Sequence, residues 1–160
     1  MEQKILEILK NDAKVSFEEL GVMLGISAQQ AEEKVHELEK NGIIMGYSAI
    51  VNTEKLADDK VRALIEVKIT PQRDRGFDAI ARNIYNFDEV ISCYLMSGSF
   101  DLMVIVEGNN IREVASFVAE KLSVQDNVLS CATHFILKQY KQDGTIFDVK
   151  NDNGRQVVAP

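Results

Sequence analysis

The chain has 160 residues, of which 46% are hydrophobic, and its formal net charge is −7 at pH 7. This length allows one large domain or two small ones with buried cores. The acidic balance is the opposite of that expected for a protein that wraps nucleic acid, and it excludes a strongly cationic membrane-surface protein. No apolar run approaches the roughly 20 residues that cross a bilayer. The charged N-terminus leads into an amphipathic pattern rather than a signal peptide, so we expect a cytoplasmic protein.

The sequence contains two cysteines, Cys93 and Cys131, and each lies in an apolar, strand-like run. We expect both to be small core residues rather than a disulfide or a thiolate metal site. No catalytic triad, metal-ligand spacing or phosphate loop is evident elsewhere. We therefore expect no enzymatic activity, no metal and no cofactor.

Two capping boxes follow each other near the N-terminus. Ser16 is followed three residues later by Glu19, and Ser27 three residues later by Gln30, and this spacing predicts helices that begin directly after each serine. Gly25 lies between them and reaches positive φ without a Cβ clash, so it can end the first of these helices and reverse the chain. Two helices joined by so short a turn are typical of a helix-turn-helix.

Three apolar stripes supply a core for this unit. They comprise Ile5, Leu6, Ile8 and Leu9, then Leu20, Met23 and Leu24, then Ala31, Val35 and Leu38. Asn41-Gly42 ends the third helix, and Ile43 to Val51, which includes the β-forming Tyr47, is interpreted as a β wing. Residues 1–51 are thus predicted to form a winged helix-turn-helix domain.

Residues 52–59 are polar and charged, and we interpret them as a linker. The pattern of residues 60–141 is βαββαβ, with a hairpin turn at Ser97-Gly98-Ser99 and a helix capped by Asn110. The predicted elements are strands at 61–69, 90–96, 101–106 and 128–140 and helices beginning near Phe77 and after Asn110. This order is that of a ferredoxin-like module, so the fold class is α+β. Residues 142–160 read as a polar tail in which 145–149 could add an edge strand and 151–160 is mobile.

The strand Leu102 to Val106 is apolar at every position. An antiparallel sheet covered by helices on one side should alternate, so something must cover its other face. The simplest candidate is the same sheet of a second copy, packed around a twofold axis. We therefore predict a homodimer.

Short motifs across the chain resemble the leucine-responsive regulatory protein and asparagine-regulator (Lrp/AsnC) family. They are Leu24-Gly25-Ile26-Ser27, Leu38-Glu39, Gly42-Ile43-Ile44, Gly46-Tyr47 and Ala49, followed by Gly98 and Asp101 in the central hairpin of the second module. The resemblance covers roughly residues 1 to 141. It implies a transcription factor that binds operator DNA, dimerises through its C-terminal module and responds to amino acids. It also implies assembly in some members into tetramers or octamers.

The family's Gly-x-x-Asp effector loop corresponds to Gly98-Ser99-Phe100-Asp101. The resemblance implies that Asp101 holds the ammonium group of a free amino acid while loop amides hold its carboxylate. Geometry alone favours a simpler interpretation, in which Gly98 supplies positive φ and Asp101 satisfies turn amides. Met96, Thr133 and His134 are further effector-binding candidates.

The candidate recognition helix carries four glutamates and two lysines, and residues 1–52 contain five lysines and nine acidic residues. A net charge of −4 predicts poor non-specific DNA binding and a shallow salt dependence. The glutamates are also compatible with a simple solvated helix face. If the helix binds DNA, the bases are contacted by Gln29, Gln30 and Lys34, since glutamine pairs with adenine. The candidate DNA-binding residues are Ser27, Gln29, Gln30, Lys34, His36 and Tyr47.

Two alternatives remain. In one, the helix-turn-helix has become a protein-binding surface and the molecule is an amino-acid sensor without an operator. In the other, the chain is an enzyme like the sirohaem decarboxylases, which have a similar two-domain architecture. The second alternative requires histidines and arginines around a tetrapyrrole, yet the two histidines, His36 and His134, lie in different predicted domains.

Overall fold

The computed structural model describes residues 1–56, 60–70 and 76–147. The chain divides into two compact units, and the boundary falls between Ile50 and Val51. The bounds of the helices and strands are α1 Glu2–Asn11, α2 Phe17–Leu24, α3 Ala28–Lys40, β1 Val61–Ile69, α4 Gly76–Tyr85, β2 Val90–Leu95, β3 Leu102–Gly108, α5 Ile111–Phe117, β4 Val128–Phe135, β5 Lys141–Gln142 and β6 Thr145–Ile146. A short 3₁₀ helix, Thr53–Lys55, lies in the predicted linker, and a π-helical turn, Val118–Leu122, continues α5. None of the described helices is long and apolar enough to cross a membrane.

Both predicted capping boxes are present, and both helices begin at the predicted residues. Ser16 Oγ accepts a hydrogen bond from the Glu19 amide while the Glu19 carboxylate accepts one from the Ser16 amide, and Ser27 and Gln30 repeat the arrangement. Gly25 ends α2 with φ of 69°, in the left-handed region that favours glycine. The helix starts were predictable because each serine satisfies amides that the helix leaves unpaired.

The core of the N-terminal unit follows the predicted stripes with one error. Its buried residues are Ile5, Leu20, Ala31, Val35 and Leu38, with Leu6, Ile8, Leu9 and Leu24 packed around them. The prediction for Met23 was wrong, since its side chain is 62% exposed. Because α2 has only eight residues, Leu20 and Leu24 define its buried stripe and Met23 falls to one side.

The predicted β wing was also wrong for the single chain. Residues 43–51 form no strand, and Met45, Tyr47 and Val51 are all substantially exposed. The β formers are present, but a strand requires a hydrogen-bonded partner, and the described part of this chain offers none beside them. The composition of this segment therefore gave the wrong secondary structure.

The second unit contains an antiparallel sheet with the strand order β2-β3-β1-β4. Both helices pack on one face, where the buried apolar residues of β1 and β3 meet those of α4 and α5. The ferredoxin-like prediction is confirmed, including the placement of β2 and β4 at opposite edges. Cys93 on β2 and Cys131 on β4 are free and partly buried, and burial raises the pKa of both thiols.

Two strand ends differ from expectation. The last strand was predicted to reach Tyr140 but ends at Phe135, close to where its partner β1 begins at Val61. Phe135 pairs with Ala63 and the Ile136 amide donates to the Arg62 carbonyl, so only Val61 of β1 lies beyond this point. Thr145–Ile146 forms a separate two-residue ribbon with Lys141–Gln142 instead of adding to the sheet. Residues 148–149 of the predicted edge strand and the whole of the predicted mobile tail, 151–160, lie outside the described residues.

Gly21 sets the spacing between α2 and the turn into α3. A Cβ at this position would lie 2.8 Å from the Ile26 carbonyl oxygen and 3.2 Å from the Ala28 amide nitrogen. Both neighbours are backbone atoms, so the turn itself must shift to admit a methyl group. Helix propensity favours alanine over glycine by about 1 kcal/mol, but the overlap opposes it.

We therefore expect Gly21→Ala to destabilise the protein by about 1–3 kcal/mol despite its helical position. Urea unfolding of the full chain measures this free energy. Val22→Ala is the matched control in the same helix, because Val22 is 84% exposed, and it should change stability by less than about 0.5 kcal/mol. A Gly21→Ala variant that is equally stable or more stable contradicts the close approach.

Candidate functional site: the recognition helix and the hairpin loop

The predicted DNA-binding residues lie on the exposed surface of the N-terminal unit, apart from Lys34, which is half-buried. Ser27 is the N-cap of α3, so its hydroxyl is committed to the Gln30 amide at 3.1 Å. Gln30 Oε1 accepts from the Ser27 amide at 3.0 Å. The start of α3 is therefore a closed box whose side-chain acceptors are already in use.

Three of the remaining candidates in this unit, Gln29, His36 and Tyr47, also have internal partners. Gln29 Nε2 donates to Glu33 Oε1 at 3.1 Å, and the Tyr47 hydroxyl donates to Glu39 Oε1 at 2.8 Å. The His36 ring meets Phe17 edge-on, with ring centroids 6.1 Å apart. Bidentate pairing of Gln29 or Gln30 with adenine requires both the oxygen and the nitrogen of the amide. Each of these two amides makes one internal hydrogen bond and keeps a second N–H and a second oxygen lone pair, so the internal bonds restrict the orientation of the amides but do not use up their atoms.

The predicted effector loop connects β2 to β3. Gly98 has φ of 145°, which lies in the region that favours glycine, and Ser99 is exposed while Phe100 is half-buried. The loop is closed at its base, where the Met96 amide donates to the Asp101 carbonyl at 2.8 Å. Met96, Gly98, Ser99, Phe100 and Asp101 are thus brought together in one loop.

The side chain of Asp101 ties this loop to the central strand. Its Oδ2 accepts a hydrogen bond from the Ile69 amide at 2.8 Å, and its own amide donates to the Val67 carbonyl at 3.0 Å. Ile69 lies where the register of β1 against β4 shifts. The carboxylate therefore has a structural task at the end of β1, which sequence spacing could not reveal because the partner lies 32 residues away.

Thr133 and His134 do not join the loop. Thr133 pairs with Ile65 and His134 with Leu64, in the middle of β1, whereas the loop lies beside the C-terminal end of β1, near Val67 and Ile69. As neighbours on one strand the two side chains also point to opposite faces of the sheet. His134 Nε2 lies 3.4 Å from the Glu66 carboxylate on the face away from the helices. Within one chain, Thr133 and His134 therefore lie apart from the five effector-binding candidates of the loop.

Sequence reasoning missed a cavity of about 760 Å³ at the end of the sheet opposite the loop. It lies between α5 and the start of β2, and ion pairs flank it: Lys121 with Glu89, and Arg62 and Lys60 with Glu107. The hydrogen bond from Arg62 is the main cause that lowers the pKa of Glu107. These pairs join residues up to 47 positions apart, so no local motif indicates them.

No group of three or more His, Cys, Asp or Glu side chains that could hold a metal ion occurs within residues 1–56, 60–70 and 76–147. His36 and His134, which a tetrapyrrole enzyme would need, lie in different units of the chain.

Comparison with known proteins covers both units. Residues 1–39 match the AsnC-type helix-turn-helix domain, and residues 62–146 match the Lrp/AsnC ligand binding domain. The HTH-type transcriptional regulator YugG of Bacillus subtilis is 45% identical over 99% of this chain and 96% of its own length. A leucine-responsive regulatory protein of Rhizobium meliloti is 30% identical over 88% of this chain and 90% of its own.

Solved structures agree on the fold. A transcriptional regulator from Neisseria meningitidis, determined as a complex with L-methionine, has a TM-score of 0.70 at 24% identity and covers 88% of this chain and 90% of its own. Escherichia coli AsnC has a TM-score of 0.67 at 23% identity, covering 88% and 93%. These relatives are named as transcriptional regulators or regulatory proteins. The chain belongs to the Lrp/AsnC family, as a transcriptional regulator with an AsnC-type helix-turn-helix domain and an Lrp/AsnC ligand-binding domain.

Proposed function

We propose that the protein binds operator DNA through the exposed start of α3 and changes this binding in response to a free amino acid held at the β2–β3 loop. The single observation that carries this proposal is the intact helix-turn-helix framework, with both capping boxes formed. A chain that regulates transcription acts where the DNA is, so we place it in the cytoplasm.

The DNA-binding surface comprises Ser27, Gln29, Gln30, Lys34, His36 and Tyr47. Donors remain available on it, since Gln30 uses its oxygen in the capping box and keeps its amide nitrogen for an acceptor. Lys34 supplies the one positive charge in the middle of the helix. Because the surrounding glutamates repel phosphates, recognition depends on few backbone contacts.

The effector site is the loop from Met96 to Asp101. The domain matches a ligand-binding domain, and the neighbour from Neisseria meningitidis was determined with L-methionine. The carboxylate of Asp101 supplies the charge that an ammonium group requires, and exposed amides around Gly98 suit a carboxylate. Thr133 and His134 lie away from the loop of their own chain, so a role for them requires the loop of another copy.

The assembly we propose is a homodimer through the sheet face that the helices leave uncovered. Cross-strand pairs place Leu64 beside Ile105 and Tyr94 beside Met103 on this open face. Leu64, Met103 and Ile105 are only half-buried in the single chain. Burying such apolar side chains against a second copy contributes about 25 cal/mol per Å² of apolar surface removed from water.

A second candidate function is amino-acid sensing without operator binding. The acidic surface of α3 favours it, since Glu32, Glu33 and Glu37 are all exposed. A DNA-selection experiment separates the two functions.

Selection from a random DNA library at low salt, with and without a panel of free amino acids, should enrich a specific sequence. For the enriched site, the logarithm of the affinity should fall with the logarithm of salt concentration with a slope of about −3 or shallower, because each neutralised phosphate contributes about −0.9. Lys34→Ala should flatten this slope further, whereas Lys10→Ala, in α1, should leave it unchanged. If no sequence is enriched at low salt with any amino acid, the regulator function fails and the sensor function remains.

Asp101→Asn tests the effector site without removing the structural contact, because asparagine keeps an oxygen that accepts from the Ile69 amide while losing the charge. Amino acids that raise the melting temperature of the wild type should no longer raise that of Asp101→Asn. Asp101→Ala should in addition lower the stability by about 1–3 kcal/mol, since it leaves the Ile69 amide unsatisfied.

Asp88→Asn, at an exposed carboxylate elsewhere in the module, is the matched control and should keep the full rise. An undiminished rise in Asp101→Asn removes the Asp101 carboxylate from the site. If no amino acid raises the melting temperature of the wild type, the effector proposal fails altogether.

A further inference from the structure

Gln29 and Glu33 form a hydrogen-bonded pair one helical turn apart on the exposed side of α3. Gln29 Nε2 donates to Glu33 Oε1 at 3.1 Å, and both residues are exposed. Residues four apart on a helix lie on the same face, so the bond holds both side chains along one stripe. The pair lies within the first turns of α3, directly after the capped N-terminus.

The bond determines which atoms the pair presents to a partner. Gln29 donates one N–H of its amide to Glu33, which leaves its second N–H, Gln29 Oε1 and Glu33 Oε2 for other contacts. An ionised glutamate has no hydrogen to donate, so the Glu33 carboxylate presents only acceptors. Its negative charge also repels phosphates.

The four bases differ in the hydrogen-bond donors and acceptors that they present to such a carboxylate in the major groove. Cytosine presents its N4 amino group, a donor, whereas guanine presents N7 and O6 and thymine presents O4, all acceptors. Adenine presents a donor, N6, but places the acceptor N7 beside it. The Glu33 carboxylate, which has only acceptors, therefore favours cytosine over the other three bases.

We propose that Glu33, positioned by Gln29, accepts a hydrogen bond from the N4 amino group of one cytosine in each half-site of the operator. This inference rests on the proposed DNA binding and adds to it the base that is recognised and the residue that selects it. It differs from the assignment expected from sequence alone, in which Gln29 pairs with adenine, because it gives Gln29 the task of positioning the Glu33 carboxylate.

The experiment is DNA selection with the full-length wild type and with Glu33→Ala. The wild type should enrich sequences with cytosine at one symmetric position of each half-site, and Glu33→Ala should lose the preference at that position alone. Exposed Glu33 faces no core residue and alanine favours a helix, so the variant should fold. Glu37→Ala removes the same charge one turn further along the exposed side of α3 and should keep the preference.

Replacement of the selected cytosine by N4-methylcytosine, which keeps the N4 hydrogen that pairs with guanine and replaces the one in the major groove by a methyl group, gives a second measurement. The substitution should weaken wild-type binding about tenfold, within the range of a specific base contact, and should leave the affinity of Glu33→Ala unchanged. Gln29→Ala should reduce the wild-type effect without abolishing it, because Glu33 loses its positioning partner but keeps its acceptor.

Two results overturn the inference while leaving the proposed function intact. One is a specific site with no cytosine preference in the wild type, and the other is a cytosine preference that survives Glu33→Ala. Failure to enrich any sequence overturns the inference and the regulator function together, so the two failures are distinguishable.

Discussion

The C-terminal unit depends on a sheet whose inner strand β3 carries apolar side chains on both faces from Leu102 to Val106. Val104 and Val106 of β3 are fully buried under the helices, while Met103 and Ile105, which alternate with them, face the other way and are only half-buried. In β1, Leu64 repeats this pattern beside Ile105. A monomer leaves these side chains in partial contact with water, so the sequence stabilises the sheet fully only when a second surface covers it.

The proposed dimerisation through that face also compensates for the low DNA affinity that we expect of a single N-terminal unit. A single acidic α3 with few phosphate contacts binds weakly, because phosphates supply most of the sequence-independent affinity. Two recognition helices joined in one molecule make the second contact intramolecular and raise the overall affinity without any new interaction. The apolar sheet face and the acidic recognition helix are therefore complementary features. In the proposed dimer, the first supplies the avidity that the second requires.

The elements that the sequence predicted correctly are those set by local chemistry. The capping boxes at Ser16 and Ser27 and the left-handed Gly25 determine α2 and α3 from neighbouring residues alone. Strict alternation located β1, and the order of elements then determined the sheet. The predictions were wrong where the secondary structure of a segment depends on a pairing partner that is distant in sequence. Residues 43–51 contain β formers but have no strand beside them in the described part of the chain, and β4 ends at Phe135, close to where its partner β1 begins.

The same distinction between local and distant interactions applies to the candidate sites. The loop from Met96 to Asp101 was located by its motif, but the bond from the Ile69 amide to Asp101 depends on the folded sheet. Likewise, sequence placed Gln29 and Glu33 on the outer side of α3 but could not say that they bind each other, since glutamine and glutamate on a helix have several partners within reach.

Sedimentation velocity of the full chain, compared with Ile105→Glu, tests the central role of the open face. We expect the wild type to sediment as a dimer or a larger assembly at micromolar concentration and Ile105→Glu to sediment as a folded monomer. Ile111→Glu makes the same change at an exposed position of α5 and should leave the assembly intact. A wild-type monomer, or an Ile105→Glu variant that assembles as the wild type does, would contradict the account.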